Sequence, residues 1–343
     1  MKVLIVGSNN PIAIEHLYCD YLNELGLPVS IYPITDIVSD KRKSSLLNRV
    51  SMRFGLNPVF NRVNEELLEL AASQKPDIIW VFKGLHVFPK TLAKLRSDHT
   101  LVNYNPDHPF IIAGRGSGNN NVKSSINLYH FHFCYHSVLQ NQLEQDYGLT
   151  CKYLPFGYQL EDRDYTILEN LEEKNAICFI GNPDKIRVST IEHITSNGYS
   201  VDVYGHNWSK TALANNQRVT IHDALYHNEF WKVLRQYRLQ LNIFREHNIG
   251  SHNMRTFEIP AAGGIQLAPY SKEQEQFFDE KKEVFFYRDQ KELIENIDFV
   301  LNLSKEQAET IRLNARKRSL ESGYSYRKRA EIAFQAFREI SEI

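Results

Sequence analysis

The sequence predicts an α/β protein with two domains, each built on a parallel β-sheet. Short apolar runs of strand length alternate with helical stretches through both halves of the chain. A chain of 343 residues is long for one hydrophobic core and comfortable for two. An acidic run of linker character between Gly157 and Asn175 separates the halves. We therefore expect one domain over 1–160 and a second over 175–325, followed by a helix over 326–343.

Composition narrows the class of protein. Apolar content of 42% and aromatic content of 12% exclude a disordered chain. A formal net charge of −1 gives no overall attraction to nucleic acid, so no nucleic-acid partner is expected. The four cysteines lie far apart without metal-binding spacing and are interpreted as reduced thiols. The chain begins directly with a strand and contains no apolar run of membrane-spanning length. These features predict a cytoplasmic protein.

The first half shows a strand–helix rhythm typical of a parallel sheet. The turn GSNNP after the first strand lacks the G-x-G-x-x-G spacing, which argues against a tightly held dinucleotide there. The predicted elements are strands at Val3–Val6, Val29–Ile34, Asp77–Phe82 and Leu101–Tyr104, with helices at Ala13–Leu25 and Lys90–Arg96.

Three stretches of the first half stand apart from this rhythm. Ser39–Arg62 interleaves basic and apolar residues, and it reads either as a solvated excursion or as a basic amphipathic helix on an anionic membrane (41–62). Ala113–Ser125 is rich in glycine and asparagine, and we interpret it as a mobile loop or an acceptor-side lid. In Tyr129–Ser137, alternating histidine and cysteine favour a half-buried strand over a metal site.

The second half restarts the rhythm after the linker. Its predicted strands are Ala176–Ile180, Val201–Tyr204, Val219–Ile221, Leu239–Phe244, Ile265–Ala268 and Val284–Tyr287. Its predicted helices run up to Ile194 and over Asn228–Arg238, Met254–Ala262, Lys291–Leu301, Lys305–Glu321 and Tyr326–Ile340.

The stretch Leu239–Tyr270 organises this half, because its strand–helix–strand order predicts a crossover between parallel strands. Asn253 is a plausible N-cap and Gly263-Gly264 ends the helix. Free amides from Ser251 to Arg255 favour an anion, and Arg255 adds a full charge. Glu258, one turn further on, provides an acceptor near that anion. The pattern suits a nucleoside diphosphate whose ribose hydroxyls need an acceptor.

The segment RTFEIPAAGG, followed by an acidic and aromatic helix and the strand EVFFY, resembles the C-terminal half of CgeB-like glycosyltransferases. The resemblance extends through FIGNPDKIR, VYGHNW and YLPFG, and more loosely through KPDIIWVFKG and NYNPDHP. It implies the glycosyltransferase-B architecture, with two facing Rossmann-like domains, a cleft between them, and a C-terminal helix that crosses back to the first domain. The implied reaction moves a sugar from a nucleotide-sugar donor to a glycan, lipid-linked or protein acceptor in cell-surface polysaccharide biosynthesis.

The donor residues follow from the resemblance together with strand-end chemistry. Gly181 ends the first strand of the second domain, where a phosphate can approach backbone amides. We predict diphosphate contacts from Lys185, Arg187 and Arg255, ribose binding by Glu258, and the base against Ala224-Leu225-Tyr226. The full predicted donor set is Gly181, Asn182, Lys185, Arg187, Gly205, Leu225, Tyr226, His252, Asn253, Arg255 and Glu258.

One departure from the family pattern concerns its E-x7-E motif. Glu258 matches the last glutamate, but Gly250 stands where the first would be. His252 or Asn253 could substitute, so the sugar and the stereochemical course stay open. No convincing Asp-x-Asp pair lies on a loop, which argues against a required divalent metal, and no cofactor is expected beyond the nucleotide-sugar donor as substrate. A nucleotide-sugar 2-epimerase and a catalytically silent relative remain alternatives.

The predicted acceptor chemistry lies in the first domain. The turn Asn105–Pro109 follows a strand of the parallel sheet and is restricted by two prolines. Asp107 or His108 could take a proton from an acceptor hydroxyl. The alternative is that Asp107 only caps the turn and His108 lies on the surface.

Overall fold

A computed structural model describes residues 1–53, 55, 57–110 and 118–341 of the chain. The described chain divides into two compact units, one comprising Met1–Pro155 with Tyr326–Ile343 and the other Phe156–Ser325. Phe54 and residues 113–117 of the predicted glycine-rich loop lie outside the described residues.

The first unit contains, within the described ranges, a six-stranded parallel sheet of order β2-β1-β3-β4-β5-β6. Its strands are β1 (Val3–Val6), β2 (Val29–Tyr32), β3 (Ile78–Phe82), β4 (Thr100–Tyr104), β5 (Phe131–Cys134) and β6 (Cys151–Tyr153). Its helices are α1 (Ile14–Glu24), α2 (Ile34–Lys43), α3 (Leu46–Arg53), α4 (Val59–Gln74), α5 (Pro89–Leu95), α6 (Asn120–Ser125), α7 (Ser137–Tyr147) and, from the C-terminus, α15 (Tyr326–Ser341).

The second unit repeats this plan with a six-stranded parallel sheet among the described residues, of order β12-β11-β10-β7-β8-β9. Its strands are β7 (Lys174–Ile180), β8 (Val201–Tyr204), β9 (Val219–His222), β10 (Tyr237–Leu241), β11 (Gln266–Pro269) and β12 (Phe285–Tyr287). Its helices are α8 (Asp162–Glu169), α9 (Lys185–Ser196), α10 (His227–Gln236), α11 (Arg255–Ala261), α12 (Lys272–Glu275), α13 (Gln290–Leu301) and α14 (Lys305–Glu321).

The cores follow from the strand sequences. Central strands such as VLIV and IIWVF are buried along their whole length, as expected for parallel strands covered on both faces. The predicted strand within Tyr129–Ser137 is fully buried rather than half-buried, because β5 lies between β4 and β6. Helix α15 belongs to the first unit, where Tyr326 packs edge-on against Tyr18 at 5.9 Å between ring centroids.

Candidate nucleotide site

Two glycine turns at the carboxyl edge of the second sheet form the centre of the candidate site. Gly181 follows β7 and Gly205 follows β8. Gly205 has φ +155°, and a Cβ there would lie 2.4 Å from the carbonyl oxygen of Gly181. The Asn182 side chain accepts a hydrogen bond from the His206 amide at 2.9 Å. Gly181, Asn182 and Gly205 were all predicted to bind the nucleotide-sugar donor, and direct contact between the two turns holds them together.

Arg187 connects this pair of turns to the end of β10. Its Nη1 donates to the Asn182 carbonyl at 2.8 Å and its Nε to the Ile243 carbonyl at 3.1 Å. Burial lowers the pKa of the Arg187 guanidinium to about 10, and Asp184 opposes that shift. Lys185, by contrast, is exposed at the start of α9. Arg187 therefore braces the site through two hydrogen bonds, while the exposed Lys185 is accessible to a phosphate.

The predicted base-binding segment lies beside the Gly205 turn. Leu225 and Tyr226 follow β9 and precede α10, and Tyr226 is half exposed at 52%. The Tyr226 hydroxyl lies 3.0 Å from Nε2 of His206. Through this contact Tyr226 lies beside His206, the residue that follows Gly205.

The loop between β10 and α11 is fixed by asparagine side chains. Asn253 Oδ1 accepts the Thr256 amide at 3.1 Å, but the helix begins at Arg255, so Met254 stands at the N-cap position where Asn253 was predicted. Asn253 Nδ2 donates to Asn242 Oδ1 at 2.8 Å, and Asn242 donates in turn to Gln266 at 3.0 Å. The carboxyl end of β10 and the first residue of β11 are thereby tied to the start of α11.

Arg255 and Glu258 form an ion pair with each other, through Arg255 Nη1 and Glu258 Oε2. The guanidinium carbon of Arg255 also lies 4.3 Å from the ring centroid of Phe230, at cation–π distance. Glu258 is 7% exposed, and the side chain of Arg255 is 28% exposed. The two predicted ligand-binding charges thus neutralise one another, and a nucleotide that uses both must separate them.

His252 lies inside the domain rather than at a ligand surface. It is 0% exposed, its Nε2 accepts the Phe156 amide at 3.3 Å, and its Nδ1 lies 3.0 Å from Glu273. A fully buried ring offers no surface to a donor, so His252 supports the loop instead of replacing the missing glutamate. Gly250, at the position of that glutamate, has φ +82°, a conformation that side-chain-bearing residues rarely adopt.

The acceptor-side candidates lie at the carboxyl edge of the first sheet. Asp107 Oδ2 is 2.6 Å from Lys83 Nζ, and the Asp107 amide donates to Asn105 Oδ1 at 3.0 Å. Asn105, and not Asp107, therefore forms the side-chain turn that the sequence left as an alternative. His108 accepts the Phe110 amide through Nδ1 at 3.3 Å.

Within the described part of the chain, no three His, Cys, Asp or Glu side chains come together in an arrangement that could hold a metal ion. His132 points to the Ile126 carbonyl at 2.9 Å, and burial lowers its pKa to about 4. Metal independence stays a prediction.

Residues 187–335 match the model of a family described as glycosyl transferase-like. Over these residues the chain is similar to the proteins of that family. The match confirms the predicted class of enzyme and contains Arg187, Gly205, Arg255 and Glu258. No curated protein sequence matches the chain.

Solved structures share the fold of the whole chain. Sucrose-phosphate synthase from Thermosynechococcus elongatus is 10% identical with a TM-score of 0.72, covering 100% of this chain and 99% of that one. HepE from Anabaena, in complex with UDP and glucose, is 12% identical with a TM-score of 0.63 and complete coverage of both chains, 100% each. A putative UDP-N-acetylglucosamine 2-epimerase from Listeria monocytogenes is 13% identical with a TM-score of 0.59, covering 99% and 96%. The predicted glycosyltransferase-B fold is confirmed.

Sequence reasoning missed several partners of the predicted residues. In the second unit these are Asn242, which anchors Asn253, and Phe230, which packs on Arg255. In the first unit it missed Lys83, which follows β3 and pairs with Asp107. The Lys-Gly step after the strand IIWVF was the available signal, since a strand end of a parallel sheet faces the ligand edge.

Proposed function

We propose that the protein transfers a sugar from a nucleotide-sugar donor to an acceptor glycan, lipid or protein, without a metal ion. The observation that carries this proposal is the contact between the Gly181 and Gly205 turns, which Arg187 joins to the end of β10, the strand before the helix that carries Arg255 and Glu258. Arg255 and Lys185 neutralise the departing diphosphate, which is an electrostatic form of leaving-group stabilisation. A CgeB-like subtype and a place in cell-surface polysaccharide synthesis belong to this proposal.

The donor that we propose to test first is UDP-glucose, because HepE has been solved with UDP-glucose. A thermal-shift screen across uridine, guanosine, adenosine and thymidine diphosphates identifies the base, since binding to the native state raises its stability. Nucleotide release from the matching sugar donor supports a transferase. Interconversion of sugars supports the epimerase alternative, which is the activity given for the similar Listeria structure. Binding without turnover supports a catalytically silent relative.

Glu258→Ala is expected to weaken binding of both the nucleoside and its diphosphate by about 1–3 kcal/mol, because the ribose is common to both ligands. Arg255→Ala is expected to weaken binding of the diphosphate and to leave the affinity for the nucleoside unchanged. Only the diphosphate carries the negative charge that Arg255 complements. Isothermal titration calorimetry measures all four affinities.

Glu229→Ala provides the control, because Glu229 is an exposed glutamate of α10 whose side chain is 66% accessible. Unchanged nucleoside affinity in a folded Glu258→Ala protein contradicts the ribose role. Equal losses of nucleoside and diphosphate in Arg255→Ala assign that arginine to structure instead.

We further propose that the first unit binds an anionic membrane surface through residues 41–62. Among the described residues, no helix combines the length and apolar character needed to cross a bilayer. Helix α3 buries none of its residues, and Leu46, Leu47 and Val50 are 73%, 82% and 55% exposed. No acidic residue occurs between Asp40 and Glu65, while the same stretch carries the basic residues Lys41, Arg42, Lys43, Arg49, Arg53 and Arg62. Exposed apolar side chains among basic residues suit a surface of anionic lipid.

Co-sedimentation with vesicles tests this surface. The parent is expected to bind phosphatidylcholine vesicles that contain phosphatidylglycerol and to dissociate from them at high salt. It is expected not to bind vesicles of phosphatidylcholine alone. The double variant Leu46→Asn/Leu47→Asn is expected to lose binding. Leu313→Asn/Leu320→Asn is the matched control, because these leucines are 53% and 45% exposed on α14. Equal binding by both double variants contradicts the proposal.

A further inference from the structure

Asp184, the residue before helix α9, lies between two arginines of the second unit. Its Oδ2 is 3.4 Å from Nε of Arg187 and 3.9 Å from Nε of Arg245, which lies in the loop after β10. Its Oδ1 accepts the Arg187 amide at 3.0 Å and so caps α9. One carboxylate is therefore shared by two guanidinium groups at the carboxyl edge of the sheet, where parallel sheets bind ligands.

Arg187 was predicted to contact the diphosphate, but its side chain is used within the protein. Its Nε and Nη1 donate to the carbonyls of Ile243 and Asn182, and its guanidinium carbon lies 5.2 Å from the ring centroid of Phe179. The side chain is only 11% exposed. Arg187 therefore holds the turn after β7 against the end of β10 and presents little of its guanidinium to a ligand.

Arg245 is held much more loosely than Arg187. Its side chain is 46% exposed, and among the described residues its ion-pair partner is Asp184, at a separation beyond hydrogen-bond range. Asp184 Oδ2 in turn has no hydrogen-bond partner in the described part of the chain. A guanidinium carries five N–H donors in a planar fork that matches the oxygens of a phosphate. Arg245 can therefore turn from Asp184 to a phosphate without breaking a hydrogen bond between the two side chains.

Positive charge exceeds negative charge around Asp184. Arg187 and Arg245 both lie within ion-pair distance of this carboxylate, and Lys185, the next residue in the chain, is exposed. Burial lowers the pKa of the Arg187 guanidinium, Asp184 opposes that shift, and Arg245 adds to it, as expected for neighbouring like charges. The negative charge of a diphosphate would balance these cations.

We propose that Arg245 binds the diphosphate of the nucleotide-sugar donor, and that Asp184 competes with the diphosphate for Arg245. This inference rests on the proposed glycosyltransferase function, and it gives Arg245 the role that the sequence predicted for Arg187. Asp184 keeps the guanidinium of Arg245 close to the start of α9. The diphosphate displaces a weakly held carboxylate, and Asp184 retains its cap on α9 through Oδ1.

Isothermal titration calorimetry with UDP and uridine tests the role of Arg245. Arg245→Gln is expected to weaken UDP binding about 10- to 100-fold, the usual scale for a hydrogen bond to a charged group, and to leave uridine affinity unchanged. Arg245→Lys keeps the charge without the planar fork, so it is expected to retain part of the UDP affinity. Arg218→Gln is the control, because Arg218 is an exposed arginine before β9, at the opposite edge of the same sheet. If the thermal-shift screen selects another base, the diphosphate and nucleoside of that base replace UDP and uridine.

Asp184→Asn tests the competition. Asparagine can keep the cap on α9 through its side-chain oxygen, while it removes the charge. UDP is expected to bind about two- to fivefold more tightly, the scale of an ion pair open to solvent, and uridine affinity should stay unchanged. Glu246→Gln is the matched control, since it removes an exposed carboxylate next to Arg245 in the chain. In the double variant Asp184→Asn/Arg245→Gln the gain is expected to disappear, because the two residues act on the same contact.

A parent that binds UDP and an Arg245→Gln protein that binds it equally well overturn the inference and leave the proposed function intact. Equal losses of UDP and uridine affinity in Arg245→Gln also overturn it, because Arg245 would then support the fold of the site. No gain in Asp184→Asn, or an equal gain in Glu246→Gln, overturns the competition. A parent that binds no nucleoside diphosphate and releases none from any sugar donor contradicts the proposed function, and the role of Arg245 with it.

Discussion

Arg312→Ala is expected to lower the free energy of unfolding of the second unit by about 3–5 kcal/mol, the usual cost of removing one partner from a buried ion pair. Arg312 is 1% exposed and pairs with Glu173 at 2.8 Å. Its guanidinium also donates to the carbonyls of Arg235 at 2.6 Å and Gly263 at 3.0 Å. Its removal leaves the Arg235 and Gly263 carbonyls without this donor near the end of α11, and it leaves Glu173 with Arg238 as its ion-pair partner.

Urea unfolding followed by circular dichroism measures this loss. Lys317→Ala on the same helix is the control, because its side chain is 70% exposed and its ion pair with Glu321 should contribute at most about 0.5 kcal/mol. Burial acts to raise the pKa of Glu173, but Arg238 and Arg312 outweigh it, and the net pKa lies below the ordinary value. The stabilisation from this pair is therefore present at neutral pH and is lost as pH falls through the folded-state pKa. Similar unfolding midpoints for the two variants contradict this account of Arg312.

Gly205→Ala is expected to be the most damaging small substitution in the nucleotide site. A Cβ at position 205 would lie 2.4 Å from the carbonyl oxygen of Gly181, and backbone atoms cannot move aside as a flexible side chain can. The clash and the unfavourable backbone conformation together are expected to lower the free energy of unfolding by about 2–5 kcal/mol. Nucleoside diphosphate binding should fall as well, because the same shift displaces the turn after β7.

Gly198→Ala separates the clash from the backbone effect. Gly198 also has positive φ, at +97°, but nothing lies within 4 Å of a Cβ built there. The free energy of unfolding of Gly198→Ala should fall by only about 1 kcal/mol, the cost of a side chain in the left-handed region. Its nucleotide affinity should stay unchanged. Thermal unfolding and calorimetry on the two alanine variants measure both effects. Equal losses in the two proteins would show that contact between the turns does not matter.

Much of the fold could be predicted because parallel strands and amphipathic helices differ in period and length. The arrangement β10–α11–β11 agrees with the crossover predicted for Leu239–Tyr270, with Gln240 paired to Gln266 in parallel register. Element ends were less predictable. The strand predicted over Val29–Ile34 ends at Tyr32, because Pro33 is followed by helix α2. The strand predicted from Leu239 begins at Tyr237, where α10 has already ended.

The sequence predicted which residues belong to the candidate site. It did not predict which side chains those residues contact. The sequence placed Arg255 and Glu258 on one helix turn, but it did not show that they form an ion pair with each other. Contacts between distant residues, such as His252 with Phe156 and Lys83 with Asp107, depend on how strand ends meet in the sheet. Local patterns do not carry that information.

A crystal structure with a bound nucleoside diphosphate tests the central claim most directly. The account predicts the ribose hydroxyls within hydrogen-bond distance of the Glu258 carboxylate and the diphosphate beside Arg255, with the ion pair between those two residues broken. A nucleotide bound elsewhere, or bound with the pair of Arg255 and Glu258 intact, contradicts it.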